Sequence, residues 1–307
     1  MDPARRTEPV PRCDVSRVVG PGASPGLGGR EVSREAPRSS AGSGQVQVDH
    51  GTRRAPSATD ADTGRCAADT DSHAPDSTRG GRIELVLLDV GGPIYDDSWY
   101  REALLRATCE LVAENGGVLV EAEFQQVYDA RRQSQSGSLR TAIAEHFLGP
   151  GQRERLSDRA ESYWFYPPAA LHPDVLPALR ELSERYRLGV VANQRAVVLD
   201  ALRRDGVAGF IDFWAISELV GAAKPDPAIF RHALRQAGVA PQHAVHVGNR
   251  LDSDVRGAQQ LGMRTVWVVR GEAPPDPTQQ QLREPDIAVF SLAEAPGAVD
   301  RLQQRVR

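Results

Sequence analysis

From Ile83 onward the chain repeats one pattern, and that pattern restricts its fold more than any other feature. A short, almost uninterrupted apolar run is followed by a stretch with one apolar helical face. The first run spans residues 83–90 and contains a single acid in its interior, Glu84, before Asp89 closes it. Runs this short and continuous suit strands of a parallel sheet covered on both faces. Similar runs recur at 188–192, 210–216, 244–247 and 265–269, with a weaker one at 287–290. Helical periodicity fills the gaps, at 173–186, 196–204, 227–237 and 253–261. Alternation of this kind predicts an α/β fold, a doubly wound, Rossmann-like and mostly parallel sheet.

One stretch breaks the alternation. Residues 99–115, 121–134, 139–147 and 153–165 read as four helices with no strand pattern between them. The spacing predicts an all-helical cap, 98–167, inserted after the first strand of a core made of 81–97 and 168–307. Its aromatic run Tyr163-Trp164-Phe165-Tyr166 falls at the junction, where aromatics pack a hinge more often than they touch a substrate. Residues 1–80 are rich in Gly, Pro, Ser, Arg and Asp and hold no apolar period. Such a segment buries too little apolar surface to offset its ordering entropy, and it reads as a disordered arm.

Composition excludes several classes. The formal net charge is −4, from 37 basic and 41 acidic residues, which predicts no electrostatic grip on nucleic acid or an anionic membrane. No stretch approaches the roughly 20 apolar residues that a membrane span needs. Cys13, Cys66 and Cys109 form no metal-type Cys-x-x-Cys pair, and with His50 and His73 their irregular spacing suits no zinc site. With no apolar core behind the first residues, the expected compartment is the cytoplasm. The oligomeric state leaves no mark in the sequence. Of the 37 basic residues only Lys224 is a lysine; the other 36 are arginine. Lysine is a compact point charge, so a single lysine in such a chain marks a place where the planar guanidinium does not serve.

Sites of doubly wound sheets form at the carboxyl ends of their strands. Four such ends carry polar residues. Asp89 precedes Val90-Gly91-Gly92-Pro93, and Ala192-Asn193 ends the second run. Lys224-Pro225-Asp226-Pro227 opens a helix, and Gly248-Asn249-Arg250-Leu251-Asp252-Ser253-Asp254 follows the fourth run. In order and context these residues resemble the four motifs of the haloacid dehalogenase superfamily of hydrolases, over about residues 83–292. The resemblance implies an aspartyl nucleophile, Asp89, steadied by Lys224. It further implies phosphate binding by Gly91, Gly92, Ala192 and Asn193, and a magnesium ion held by Asp89, Gly91, Asn249 and Asp254. The implied partner is a phosphorylated small molecule. Other readings of nearby polar residues are local. Asp96 and Asp97 are expected to cap the first cap helix, His246 to be a packed core histidine, and Asp252 to be solvated. Ser98, Arg101 and Tyr163 are the candidates for contact with substrate.

The motifs also depart from the family. The second acid expected two positions after the nucleophile is Gly91, the following Thr is Pro93, the phosphate-binding hydroxyl is Ala192, and the first acid of the last motif is Asn249. A missing general acid removes about 10²–10⁴-fold of rate. Three functions remain open at this level. One is magnesium-assisted hydrolysis of a phosphate ester, with a proton donor such as Asp97 or a cap residue. Another is metal-independent hydrolysis of a carbon–halogen or other bond. The third is a non-catalytic domain that binds a ligand or a protein.

Overall fold

The computed structural model of the chain describes residues 82–305. The expected arm, 1–80, and with it Cys13, Cys66, His50 and His73, lies outside the described residues.

Six parallel strands form one sheet in the order β3-β2-β1-β4-β5-β6. They are β1 (Leu85–Leu88), β2 (Arg187–Ala192), β3 (Phe213–Ile216), β4 (Ala244–Gly248), β5 (Arg264–Val268) and β6 (Ile287–Val289). All four residues of β1 are buried. Val86 and Leu88 pack into one apolar cluster, Leu85 and Leu87 into another, because successive side chains of a strand point to opposite faces. The first cluster is roofed by α5 (Val175–Ser183), α6 (Val198–Arg204) and α11 (Ala295–Arg305), through residues such as Leu179, Leu202 and Leu302. The second is roofed by α8 (Pro227–Ala237), through Ile229, Phe230 and Leu234. The expected fold class therefore describes the molecule. The topology changes direction between β1 and β4, which lie side by side with Leu85 opposite Ala244.

The helical insert consists of α1 (Ser98–Glu114), α2 (Glu121–Ser134), α3 (Leu139–Phe147) and α4 (Arg153–Glu161). It buries its own apolar cluster, with Leu104, Leu111, Phe124, Ile143 and Leu156 fully enclosed. Three expected elements differ from the structure. The fourth helix stops at Glu161, because the aromatic run after it joins two clusters and not one helix face. Trp164 packs edge-on against Tyr100 at 5.6 Å, while Tyr166 stacks on Tyr95 at 4.2 Å. Pro167 then pushes Tyr166 out of the helical region. The third strand begins only at Phe213, since Val207–Phe210 closes a 3₁₀ turn. The expected helix at 253–261 is a π turn, Leu251–Val255, followed by the short α9 (Arg256–Gln259). The helix α11 and the short helices α7 (Ser217–Val220) and α10 (Gln279–Arg283) carry no expectation from the sequence. Among the described residues no helix is long and apolar enough to cross a membrane.

Candidate active site

The strand ends converge on one buried ion cluster. Asp89 follows the last residue of β1 and Lys224 lies in the loop before α8. The Lys224 ammonium stands 2.7 Å from Asp89 Oδ1 and 2.6 Å from Asp254 Oδ1. Its side chain is only 2% exposed. A buried charge is tolerated only when paired, and this one is paired twice. Burial works against the charged lysine, but Asp254 and Asp89 outweigh it and hold its pKa above the ordinary value. The loop around Lys224 is fixed by Asn193. The Asn193 side chain accepts the Lys224 backbone N–H at 2.7 Å and donates to the Lys224 carbonyl at 2.8 Å. Asn193, expected to bind phosphate, spends its amide on positioning the lysine. Ala192 is a fully buried strand residue and offers the site no side-chain polar group.

Asp254 is the anchor of the cluster. Its Oδ1 takes Lys224 and the Nε2 of His246 at 3.2 Å, and its Oδ2 accepts the backbone N–H groups of Asn249 and Arg250 at 3.0 and 2.9 Å. The π turn that carries it is formed where Asp254 N–H and Val255 N–H both return to the Arg250 carbonyl. Burial tends to raise its pKa, but Lys224 and His246 hold the carboxyl well below the usual range. His246 is fully buried, as expected of a core histidine, and burial lowers its pKa; its ring also meets Phe230 edge-on.

The loop after β1 brings in a second acid. Asp97 occupies the N-cap position of α1 but makes no capping hydrogen bond; Asp96 instead accepts the Ser98 N–H and hydroxyl at 3.0 and 2.6 Å. Asp97 turns into the site, 6% exposed, and accepts the Glu272 N–H at 3.2 Å and the Asn249 amide at 3.4 Å. The expectation that Asp97 caps the helix is thus corrected: the capping partner is its neighbour. A Cβ on Gly91 would lie 2.9 Å from Asp97 Oδ1, so the carboxyl fills the space beside the absent side chain. Gly92 has φ +83°, and a Cβ there would meet the Asn249 amide nitrogen at 2.0 Å. Its N–H donates to the Tyr95 carbonyl at 2.8 Å and is therefore not free to cradle an anion. Arg270, which sequence reasoning missed, donates to the Gly92 and Pro93 carbonyls and pairs with Asp174 at 2.9 Å. Burial first, and Lys224 and Asp254 in opposite senses, leave the Asp89 pKa raised to about 6. Burial, then the charges of Glu272 and Asp89, push Asp97 well above the usual range.

These groups line a cavity of about 450 Å³ between the sheet edge and the helical insert. Asp89, Gly91, Asp97, Asn193, Lys224 and Asn249 all face it. The insert contributes Tyr100 and Arg140, which the sequence did not single out, and Trp164 of the aromatic run, which was expected to pack a hinge rather than touch a substrate. The cap residues that were expected do not line it. Ser98 is held by Asp96, Arg101 by Gln125, and Tyr163 by Glu110. Asp252 is not solvated; it faces the cavity and pairs with Arg250 at 2.8 Å, and Arg250 in turn pairs with Glu272 at 2.6 Å.

Among the described residues no three His, Cys, Asp or Glu side chains are arranged to hold a metal ion. The site nonetheless offers oxygen. Asp89 keeps one oxygen beyond its contact with Lys224, and among the described residues the Gly91 carbonyl and the Asn249 amide oxygen accept no hydrogen bond. An all-oxygen set with room for water fits magnesium, and two crowded carboxyls are a setting that a cation relieves. Asp254 leaves the expected set, since four donors already occupy its two oxygens.

A cation-clamped carboxylate at the switch point of a doubly wound sheet defines the class of site. Comparison with known proteins places the chain further. The haloacid dehalogenase-like hydrolase family model matches residues 83–262, and the chain belongs to that family. A glyceraldehyde 3-phosphate phosphatase of Methanopyrus kandleri is 46% identical over 103 residues, 33% of this chain and 44% of that one. A phosphoserine phosphatase of Thermus thermophilus is 38% identical over 156 residues, 47% of this chain and 60% of that one. The chain thus matches about half the length of these relatives. A solved haloacid dehalogenase-like hydrolase from Streptococcus pneumoniae superimposes with TM-score 0.56 at 20% identity, covering 70% of this chain and 98% of that one, a likeness of fold.

Proposed function

We propose that the chain hydrolyses the phosphate monoester of a small molecule through an aspartyl nucleophile. The observation that carries this reading is the buried Lys224 ammonium, shared at 2.7 and 2.6 Å between Asp89 and Asp254. It keeps a carboxylate ionised in a cavity where burial alone would protonate it, and it sets fixed positive charge beside the phosphoryl oxygens. Asp89 attacks phosphorus and the ester oxygen leaves; water then attacks the aspartyl phosphate, releasing inorganic phosphate and restoring Asp89, so that one displacement becomes two. Asn193, His246 and Asp254 act by holding the lysine and the nucleophile in register. The Asp97 carboxyl, beside the space above Gly91, donates the proton that the leaving oxygen takes up. Magnesium, held by Asp89, the Gly91 carbonyl and the Asn249 amide oxygen, would neutralise phosphoryl charge. The relatives named for glyceraldehyde 3-phosphate and phosphoserine support a small phosphorylated substrate and differ in whether it bears a carboxylate.

The test is phosphate release by the full chain, with magnesium, from a panel of small phosphate monoesters. Release from at least one ester is expected, with loss in Asp89→Asn. Release that survives Asp89→Asn, or none from any ester, overturns the reading. Turnover of a 2-haloacid in the presence of a chelator would assign the metal-independent chemistry instead.

A further inference from the structure

The cavity is polarised. Its floor carries the carboxyls of Asp89 and Asp97, and the wall supplied by the helical insert carries Arg140. Arg140 is the second residue of α3. Its Nε donates to the Tyr100 hydroxyl, and its guanidinium lies 5.2 Å from the Tyr100 ring centroid. A neutral phenol is its only hydrogen-bonding partner among the described residues. The acids whose charges reach it are committed elsewhere: Glu161 to Arg195, and Glu272 to Arg250. A partly buried guanidinium without a counter-ion, facing a cavity, is a site for an anion.

A second observation points the same way. Gly137, Ser138 and Leu139 line the cavity beside Arg140, so the start of α3 faces the same space. The Ser138 hydroxyl caps the Thr141 N–H at 3.3 Å, which leaves the N–H groups of Leu139 and Arg140 without an intrahelical acceptor. The helix dipole adds its positive end to the guanidinium. One guanidinium balances one negative charge, and its planar fork matches a carboxylate. Two other guanidinium groups line the cavity: Arg250 is already spent on Asp252 and Glu272, and Arg153, also from the insert, is solvent-exposed where Arg140 is partly buried.

We propose that Arg140 and the first turn of α3 form an anion subsite for a carboxylate on the substrate, so that the chain prefers phosphate esters of small hydroxy acids over those of neutral alcohols. The proposal rests on the phosphatase reading and names the substrate class of that site. Arg140 is then the residue that sets specificity, opposite the nucleophile.

Steady-state kinetics of the full chain test it. The carboxylate-bearing probes are phosphoglycolate and O-phosphoserine, and the neutral ones are glycerol 3-phosphate and p-nitrophenyl phosphate. The ratio of kcat/KM for carboxylate-bearing over neutral esters is expected to fall by about 10–100-fold in Arg140→Gln, the size of a charged hydrogen bond. The loss should sit mainly in KM, with partial recovery in Arg140→Lys. A wild-type chain with no preference, or a ratio that Arg140→Gln leaves unchanged, overturns the subsite. An equal loss on every ester overturns it too and moves Arg140 to the phosphoryl group. If no ester is turned over, the phosphatase reading fails on its own. The subsite is then judged by melting with phosphoglycolate against glycerol 3-phosphate. Selective stabilisation by phosphoglycolate in the wild type but not in Arg140→Gln keeps the subsite, and its absence removes it.

Discussion

A single carboxyl group sits differently from where local sequence rules put it. Asp97 precedes a helix, and an acid at that place reads as a cap. Asp96 takes that task through Ser98, which frees Asp97 to enter the cavity beside Gly91. The local rule names the need for a capping acid but cannot choose between adjacent acids. Asp89, Lys224 and Asp254 were legible, because the two acids follow strand ends and the lysine is the only one in the chain. Arg140 and Glu272 were not, because their place at the cavity is set by contacts 40 and 175 residues away along the chain and no local spacing records it. If Asp97 protonates the leaving oxygen, its removal must matter most for poor leaving groups. Asp97→Asn is expected to lower kcat on alkyl phosphates by about 10²–10⁴-fold, and to cost p-nitrophenyl phosphate far less. Equal losses on both esters would make Asp97 a structural acid only.

At the scale of elements, the turn after β1 is the piece on which the site depends. Gly92 lies at φ +83°, and Arg270 ties its carbonyl and that of Pro93 to the loop that follows β5. The central strands and most helices could be read from their apolar periods. The misread ones share a physical cause. The aromatic run after α4 obeys two clusters at once, and the π turn at Leu251–Val255 obeys the hydrogen bonds that Asp254 makes. Long-range contacts override a local helical period in both places. Gly92→Ala should therefore be damaging out of proportion to one methyl group. A left-handed backbone costs a side chain about 1–2 kcal/mol, and the Cβ would also collide with the Asn249 amide at 2.0 Å. Destabilisation of at least about 2 kcal/mol in denaturant unfolding is expected. A variant as stable as the wild type would mean that this turn rearranges without cost.

The whole molecule carries the electrostatic strain of the cavity in its stability. Asp97 is buried and forms no ion pair among the described residues, and burial together with Glu272 and Asp89 raises its pKa. An acid with a raised native pKa binds more protons folded than unfolded, so it contributes stability as pH falls through that pKa and costs stability above it. His172 and His246, whose pKa values burial lowers, pull in the opposite direction below neutrality. The difference between two variants isolates the acid from that background. In chelator at alkaline pH, Asp97→Asn should melt higher than the wild type, by roughly 2–4 °C if about 1 kcal/mol is relieved. The gap should narrow as the pH is lowered through the raised Asp97 pKa, below which the acid holds its proton and resembles the amide. Magnesium added at the higher pH should narrow it as well, by giving the wild-type carboxyls a cation that the variant needs less. A variant that melts lower than the wild type at every pH would mean that Asp97 stabilises the fold as an ordinary hydrogen-bond acceptor. The second acid of the cavity would then carry no strain for catalysis to use.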